Sequence, residues 1–425
     1  MPIRAIKGAA IALATLGVAV LWLVASRAEV PTIAIGQAGA TMNLAYVRIE
    51  GRCTRVPAYD SGTGALGFWL SDGTGDLYVA SYRSQTEALI NQGNVPALGD
   101  EVSVAGTLRI RDDFHSLTVD LPEHVVISRA DPVRRHIGGI GRKDRYQRVQ
   151  VQGQVRRLAE PYQGLTLITL RDETGAIDLA VSDELIALSN ATPDLEAGQS
   201  VEVTASVSLY GETPQLVPAS TADIIPLDQD VPVATGYFVG ELAGAPLAQW
   251  VAVHGTVTRV APFTAGAKLT LDDGTGVTTV LLWQSLVEGV PDLASGAQIR
   301  AQGELSQYAG ELELIPEMAT DIQVLTPAPA PAITSIRDLT VDGLGQVVTV
   351  AGTLGEPQGF SRGIKFPLSD ETGTIILLLW QEVYEAAAGA GRLVSGAEVE
   401  ATGRLDQYQG TFEIIPEPDG LEVVE

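Results

Sequence analysis

One six-residue run occurs four times in this chain of 425 residues. It reads Leu70-Ser71-Asp72-Gly73-Thr74-Gly75, then Leu170-Arg171-Asp172-Glu173-Thr174-Gly175, then Leu271-Asp272-Asp273-Gly274-Thr275-Gly276, and last Leu368-Ser369-Asp370-Glu371-Thr372-Gly373. The Thr-Gly pair recurs after 100, 101 and 97 residues, so the repeating unit is a domain and not a solenoid repeat. Apolar alternation flanks each copy, with Phe68 and Leu70 before the first and Leu77 and Val79 after it. Asp, then Gly or Glu, then Thr-Gly is turn chemistry: the Asp side chain bonds the backbone ahead and Gly accepts positive φ. Each run is expected at the tip of a β-hairpin.

Other pieces recur in step with it. A Val-x-Gly-x-Val pattern comes first, as Val151-Gln152-Gly153-Gln154-Val155 and Val253-His254-Gly255-Thr256-Val257, with Gly51 and Gly352 at the matching positions. Glycine inside a strand marks a bend or a close backbone approach. After each hairpin comes a short stretch able to form a helix, at 84–91, 183–189, 284–287 and 381–388. A glycine then opens a fourth strand (Gly99, Gly198, Gly296, Gly396), and a tight turn leads to a fifth. Strand, strand, turn, strand, short helix, strand, turn, strand is the order of a five-stranded Greek-key barrel with its helix between strands three and four, the OB-fold arrangement. The expected fold class is all-β: four tandem OB-fold barrels at 33–128, 137–226, 237–325 and 333–425, behind an N-terminal segment at 1–28. Between them lie a basic link (129–148), an acidic linker (226–237) and a Pro-Ala spacer (326–332), which together suggest beads on a semi-stiff string.

The strings Val253-His254-Gly255-Thr256-Val257, Leu271-Asp272-Asp273-Gly274-Thr275-Gly276 and Gly296-Ala297-Gln298-Ile299-Arg300-Ala301-Gln302-Gly303 resemble the OB-fold nucleic-acid-binding family, its tRNA anticodon-binding-like members in particular. The resemblance implies the barrel fold and the capacity to bind nucleic acid. One fold hosts many ligands, so it does not select among them.

Composition narrows the chemistry. The single cysteine, Cys53, excludes an internal disulfide framework and a Cys-based zinc site. The four histidines (His115, His124, His136, His254) share no metal-ligand spacing. Calcium needs six to eight oxygens, and each turn offers only one or two carboxylates. No nucleophile motif, phosphate-binding glycine loop or catalytic carboxylate pair appears, so the chain reads as non-enzymatic, with neither metal nor cofactor. The net charge of −25 is uneven: residues 129–157 carry nine Lys+Arg against two Asp+Glu, and residues 158–425 carry nine against 38. The long acidic part repels phosphate backbones, while the short basic part attracts them.

Arg4 and Lys7 precede residues 8–25, an apolar run about long enough to cross a bilayer. Positive charge before the run keeps the N-terminus in the cytoplasm and sends the repeats outside. Two readings compete, an uncleaved signal anchor and a signal peptide cut after Ala28. The length of the run favours the single-pass anchor.

In OB-folds, ligands lie across strands two and three and are gripped by the loops joining strands one to two and four to five. Those loops hold an aromatic in every repeat: Tyr59, Tyr162, Phe263 and Phe360 in the first loop, and Phe114, Tyr210, Tyr308 and Tyr408 in the second. Such rings stack on bases or simply cap the barrel. Basic neighbours occur in repeats one and two alone: Arg109, Arg111, Arg134, Arg135, Arg156, Arg157 and Arg171. With Tyr59, Phe114 and Tyr162 they form the candidate site for single-stranded nucleic acid or another polyanion. The basic link also suits anionic lipid, or ion pairs with the acidic repeats. The alternative function is an acidic extracytoplasmic scaffold whose barrels bind proteins or glycans.

The anchor reading predicts that protease added to intact spheroplasts digests the repeats. Full protection of residues 30–425 would overturn that topology.

Overall fold

The structure, a computed structural model, describes residues 13–18, 20, 30–111, 114–290, 293–329, 332–386 and 390–424. The expected anchor, residues 8–25, lies for the most part outside them. Among the described residues no helix is long and apolar enough to cross a membrane.

Four sheets follow one path. In the second repeat the strands are Arg148–Tyr162, Leu165–Asp172, Gly175–Ser182, Ser200–Tyr210 and Thr213–Pro218. Strand one pairs antiparallel with two and two with three; three pairs parallel with five, five antiparallel with four, and four returns to one. The five strands therefore close a barrel with the OB-fold order 1-2-3-5-4-1. Period-two alternation sends Val149, Val151, Val155, Ile168, Leu170, Leu179, Val203 and Val207 into one core. The helix Asp183–Ser189 starts where Ser182 Oγ accepts the Leu185 N–H, and it buries Leu185. Helices occur in the same place in the other repeats, at Ser84–Asn91, Gln284–Val287 and Gln381–Ala386; residues 387 and 388 of the expected fourth helix lie outside the described residues.

The expectation of five strands is incomplete. The sheets have seven, seven, seven and six strands. Short exit strands (Val125–Ser128, Ile224–Pro226, Ile322–Thr326) pair with the fourth strand, and lead-in strands (Val133–Arg134, Thr235–Gly236) run parallel to the first. Pieces of two to five residues carry too little periodicity to be seen in sequence.

The four turns do more than reverse the chain. Asp72 Oδ1 accepts the Thr74 N–H, the Thr74 hydroxyl and the Gly75 N–H, as expected of a turn. Its other oxygen, Oδ2, accepts the N–H of Ile35, 37 residues earlier, at 2.8 Å. Thr74 Oγ1 accepts the next N–H, that of Gly36. The same pair of long-range bonds joins Asp172 and Thr174 to Ile137 and Gly138, Asp273 and Thr275 to Val239 and Gly240, and Asp370 and Thr372 to Ile336 and Arg337. Each repeat's entry segment is thereby tied across its own barrel, with Ile35, Ile137, Val239 or Ile336 buried beneath the clamp. The strand-one glycines permit the approach from the other side. A Cβ on Gly255 would lie 2.6 Å from the Asp272 carbonyl oxygen, and one on Gly352 2.4 Å from that of Ser369. Cys53 is fully buried, and burial, then Asp100, pushes its thiol up to about 12.

The chain divides into two compact units, one ending at Thr326 and one beginning at Pro327. Within the first, the barrels touch and do not hang as separate beads. Leu98 of the first packs with Ala180 and Val217 of the second, joined by Tyr146 of the link.

Two outcomes are expected of the second unit. Residues 333–425 fold alone as a β-rich monomer, and an unfolded or aggregated product would show that a neighbour completes the core. Burial pushes the Asp370 carboxyl up, but the Ile336 N–H, the Thr372 hydroxyl and two further N–H groups outweigh it and hold it down at about 2. A depressed carboxyl stabilises fully above its unfolded value and loses that contribution as pH falls through the folded one. Circular dichroism between about pH 4 and pH 2 should therefore show acid unfolding that Asp370→Asn flattens, at a loss of about 1–3 kcal/mol at neutral pH.

Candidate nucleic-acid interface

The arginines read from the sequence do not share one groove. Arg134 and Arg135 lie on the lead-in to the second barrel. Arg134 Nε bonds Gln150 Oε1 at 2.9 Å and its guanidinium is 3.7 Å from Glu202; Arg135 is 3.7 Å from Asp144. Elsewhere in the basic link Arg129 pairs with Asp100, Arg142 with Glu212 and Arg148 with Asp223, while the Arg145 guanidinium lies 4.6 Å from the Tyr146 ring centroid. These acids belong to the first two barrels and not to the acidic C-terminal repeats.

Arg156 and Arg171 are a correction. Both were expected beside Tyr162 in an open groove. The Arg156 side chain is 2% exposed, with Nη2 2.6 Å from Asp321 Oδ2 of the third barrel. The two guanidiniums lie 4.6 and 4.3 Å from the centroid of the buried Trp250 ring. Asp321 also accepts from Gln302 Nε2 and from the backbone of Glu317 and Met318, so the buried charge is paired and bonded. Burial pushes the Arg171 guanidinium below its ordinary value, against the pull of Glu317. This contact joins barrels two and three, and nothing local in Val155-Arg156-Arg157 announces a partner 165 residues away.

Arg157 stays exposed opposite Thr169. Tyr162 and Tyr210 line a cleft of about 720 Å³ on the second barrel, walled on one side by Val56, Pro57 and Ala58 of the first. Its charged lining residues are Asp178 and Glu184, a poor place for a phosphate. Tyr59 packs, half-buried, against the first core.

Arg109, Arg111 and Phe114 do come together, on the outward face of barrel one, with residues that sequence reasoning missed. Phe68, Leu70, Leu77, Val79, Leu108 and Leu117 point inward, so Trp69, Tyr78, Ser116 and Arg109 point outward. Those four form one row of paired neighbours across strands two, three, five and four. Arg111 pairs with Phe114 in the next row. The rings of Trp69, Tyr78 and Phe114 cluster at 5.4, 5.6 and 6.1 Å between centroids. The Arg55 guanidinium lies 4.4 Å from the Trp69 centroid. Gly67 makes room, since a Cβ there would lie 1.8 Å from the Tyr78 hydroxyl. Burial, and then Tyr82, raises the Tyr78 phenol above its ordinary value. Parity was the available signal: in Phe68-Trp69-Leu70 two buried neighbours require the middle ring to face out.

Barrels three and four fill the same face differently. Lys268 and Lys365 replace Gly67, and Glu313 and Glu413 replace Ser116. Each pair is closed at 2.5 Å.

No protein-family model and no curated protein matches this sequence. Among solved structures, it is similar to a replication protein A heterotrimer bound to ssDNA, at 13% identity over 68% of this chain and 96% of that one, with a TM-score of 0.27. It is also similar to the p204 HINb domain, at 13% identity over 40% and 95%, TM-score 0.25. An OB domain from Methanosarcina mazei is 22% identical over 25% and 95%, TM-score 0.21. The assignment of the fold here rests on the strand pairings themselves.

Asp321→Ala leaves the buried Arg156 with only the more distant Glu317 carboxylate, 3.5 Å from its Nε, and is expected to destabilise the chain by about 3 kcal/mol in urea unfolding. Arg157→Ala next door should stay within about 0.5 kcal/mol. Equal effects of the two would refute the junction.

Proposed function

We propose that the chain is a non-enzymatic binding protein, held at the outer face of the cytoplasmic membrane by residues 8–25, whose first barrel takes single-stranded nucleic acid. The observation that carries the binding reading is the Trp69–Tyr78–Phe114 cluster rimmed by Arg55, Arg109 and Arg111. It lies on the face that OB-folds use for oligonucleotides. Phe114 is exposed, and Trp69 and Tyr78 are half-buried, each partly open to solvent. Aromatic rings stack on bases whatever the sequence, and three guanidiniums contact the backbone. The closer resemblance to anticodon-binding barrels belongs to this proposal too. Apolar length and preceding charge support the anchor, and the absence of any catalytic constellation in the sequence supports the non-enzymatic reading.

Affinity is modest, because the chain carries a net charge of −25 and few free cations. Three phosphate contacts give a slope of about −2 in log affinity against log salt. Trp69→Ala should weaken binding of a labelled oligonucleotide by about 1–3 kcal/mol, seen by fluorescence anisotropy at low salt. Arg109→Glu with Arg111→Glu should lower both the affinity and the salt slope. An unchanged affinity in both variants would hand the case to a scaffold whose barrels bind other ligands.

A further inference from the structure

Barrels three and four carry one constellation twice. It comprises Phe263, Lys268, Trp283, Tyr308 and Glu313 in the third, and Phe360, Lys365, Trp380, Tyr408 and Glu413 in the fourth. In the third, Lys268 Nζ lies 2.5 Å from Glu313 Oε1 and 5.4 Å from the Tyr308 centroid, while Phe263 meets Trp283 edge-on at 6.3 Å. In the fourth, the corresponding separations are 2.5, 5.3 and 5.8 Å. Both carboxylates are nearly buried, and both Trp rings stand 40% or more exposed.

We infer that each constellation is a binding site for a neutral glycan. Bracing alone accounts for the Lys–Glu pair but leaves the exposed rings unexplained. The five residue types persist while several exposed positions on the fourth and fifth strands of the same barrels do not: Arg300 corresponds to Glu400, Glu304 to Arg404, and Glu311 to Thr411, although Gln307 and Gln407 match. The ligand class follows from charge. A polyanion meets a neutral pair within the acidic part of the chain and is repelled. A cation meets a lysine, which lies over Tyr308 in the third barrel and over Phe360 and Tyr408 in the fourth. A purely apolar partner would desolvate the pair without replacing its bonds with water. A sugar satisfies all three conditions. Its C–H faces lie on Trp and Tyr, and its hydroxyls donate and accept at the N–H groups and carboxylate oxygens that the pair leaves over. This site lies on different barrels from the nucleic-acid face and does not depend on it.

The test titrates the full chain with neutral hexasaccharides of glucose, N-acetylglucosamine and xylose, in tryptophan fluorescence and calorimetry. Saturable binding to at least one is expected, insensitive to 1 M NaCl. Trp283→Ala with Trp380→Ala should weaken it at least tenfold, and Tyr308→Ala with Tyr408→Ala should weaken it too, each with an unchanged far-UV spectrum. Absence of binding across the panel at millimolar sugar overturns the inference. So does binding that survives both double variants, or displacement of the sugar by single-stranded DNA.

Discussion

The carboxylate of the Asp-x-Thr-Gly turn holds each repeat together. A hairpin tip needs only one acceptor for its local N–H groups, and Oδ1 of Asp72, Asp172, Asp273 and Asp370 supplies it. The second oxygen is left to fix where the chain enters the barrel. Fixing the entry sets the register of the parallel lead-in and places an Ile or Val over the open barrel end. The face across strands two and three starts at this turn, so the outward row that includes Trp69 and Tyr78 inherits its position from the same clamp.

That same motif explains how much was legible. Turn chemistry, the strand-one glycine and the placement of the short helices are local requirements, so they stand in the sequence as residue types at fixed spacing. Barrel order followed from them. The clamp's other half is hidden, because an N–H at Ile35 or Ile137 belongs to the backbone and leaves no side-chain signature. The short added strands escaped for lack of periodicity.

The candidate site was half legible. Phe114 with Arg109 and Arg111 was visible as an aromatic among cations. Trp69 and Tyr78 were not, because apolar runs look buried until parity is imposed. Arg156 and Arg171 misled, since a cation in a basic stretch looks the same whether water or a buried Asp321 faces it. Only a contact between barrels separates the two cases. The face diverges from aromatic-cationic in barrel one to Lys–Glu-closed in barrels three and four: a lysine and a glutamate stand for Gly67 and Ser116, and Trp69 and Tyr78 give way to Thr270 and Thr279 in the third and to Pro367 and Ile376 in the fourth. A single fold thus presents unlike chemistries along one chain.

The Arg156–Asp321 pair also imposes an order on biosynthesis. The chain is made from its N-terminus, and the two residues are separated by 165 positions. The fifth strand of the second barrel ends at Pro218, 103 residues before Asp321. At about 5–20 residues per second, the completed barrel therefore waits roughly 5–20 s for its counter-charge. During that interval its guanidiniums have no Asp321 against them. The nascent protein is a more cationic object than the finished one. Arrival of the last strand of barrel three withdraws that charge from solvent and makes two barrels one body.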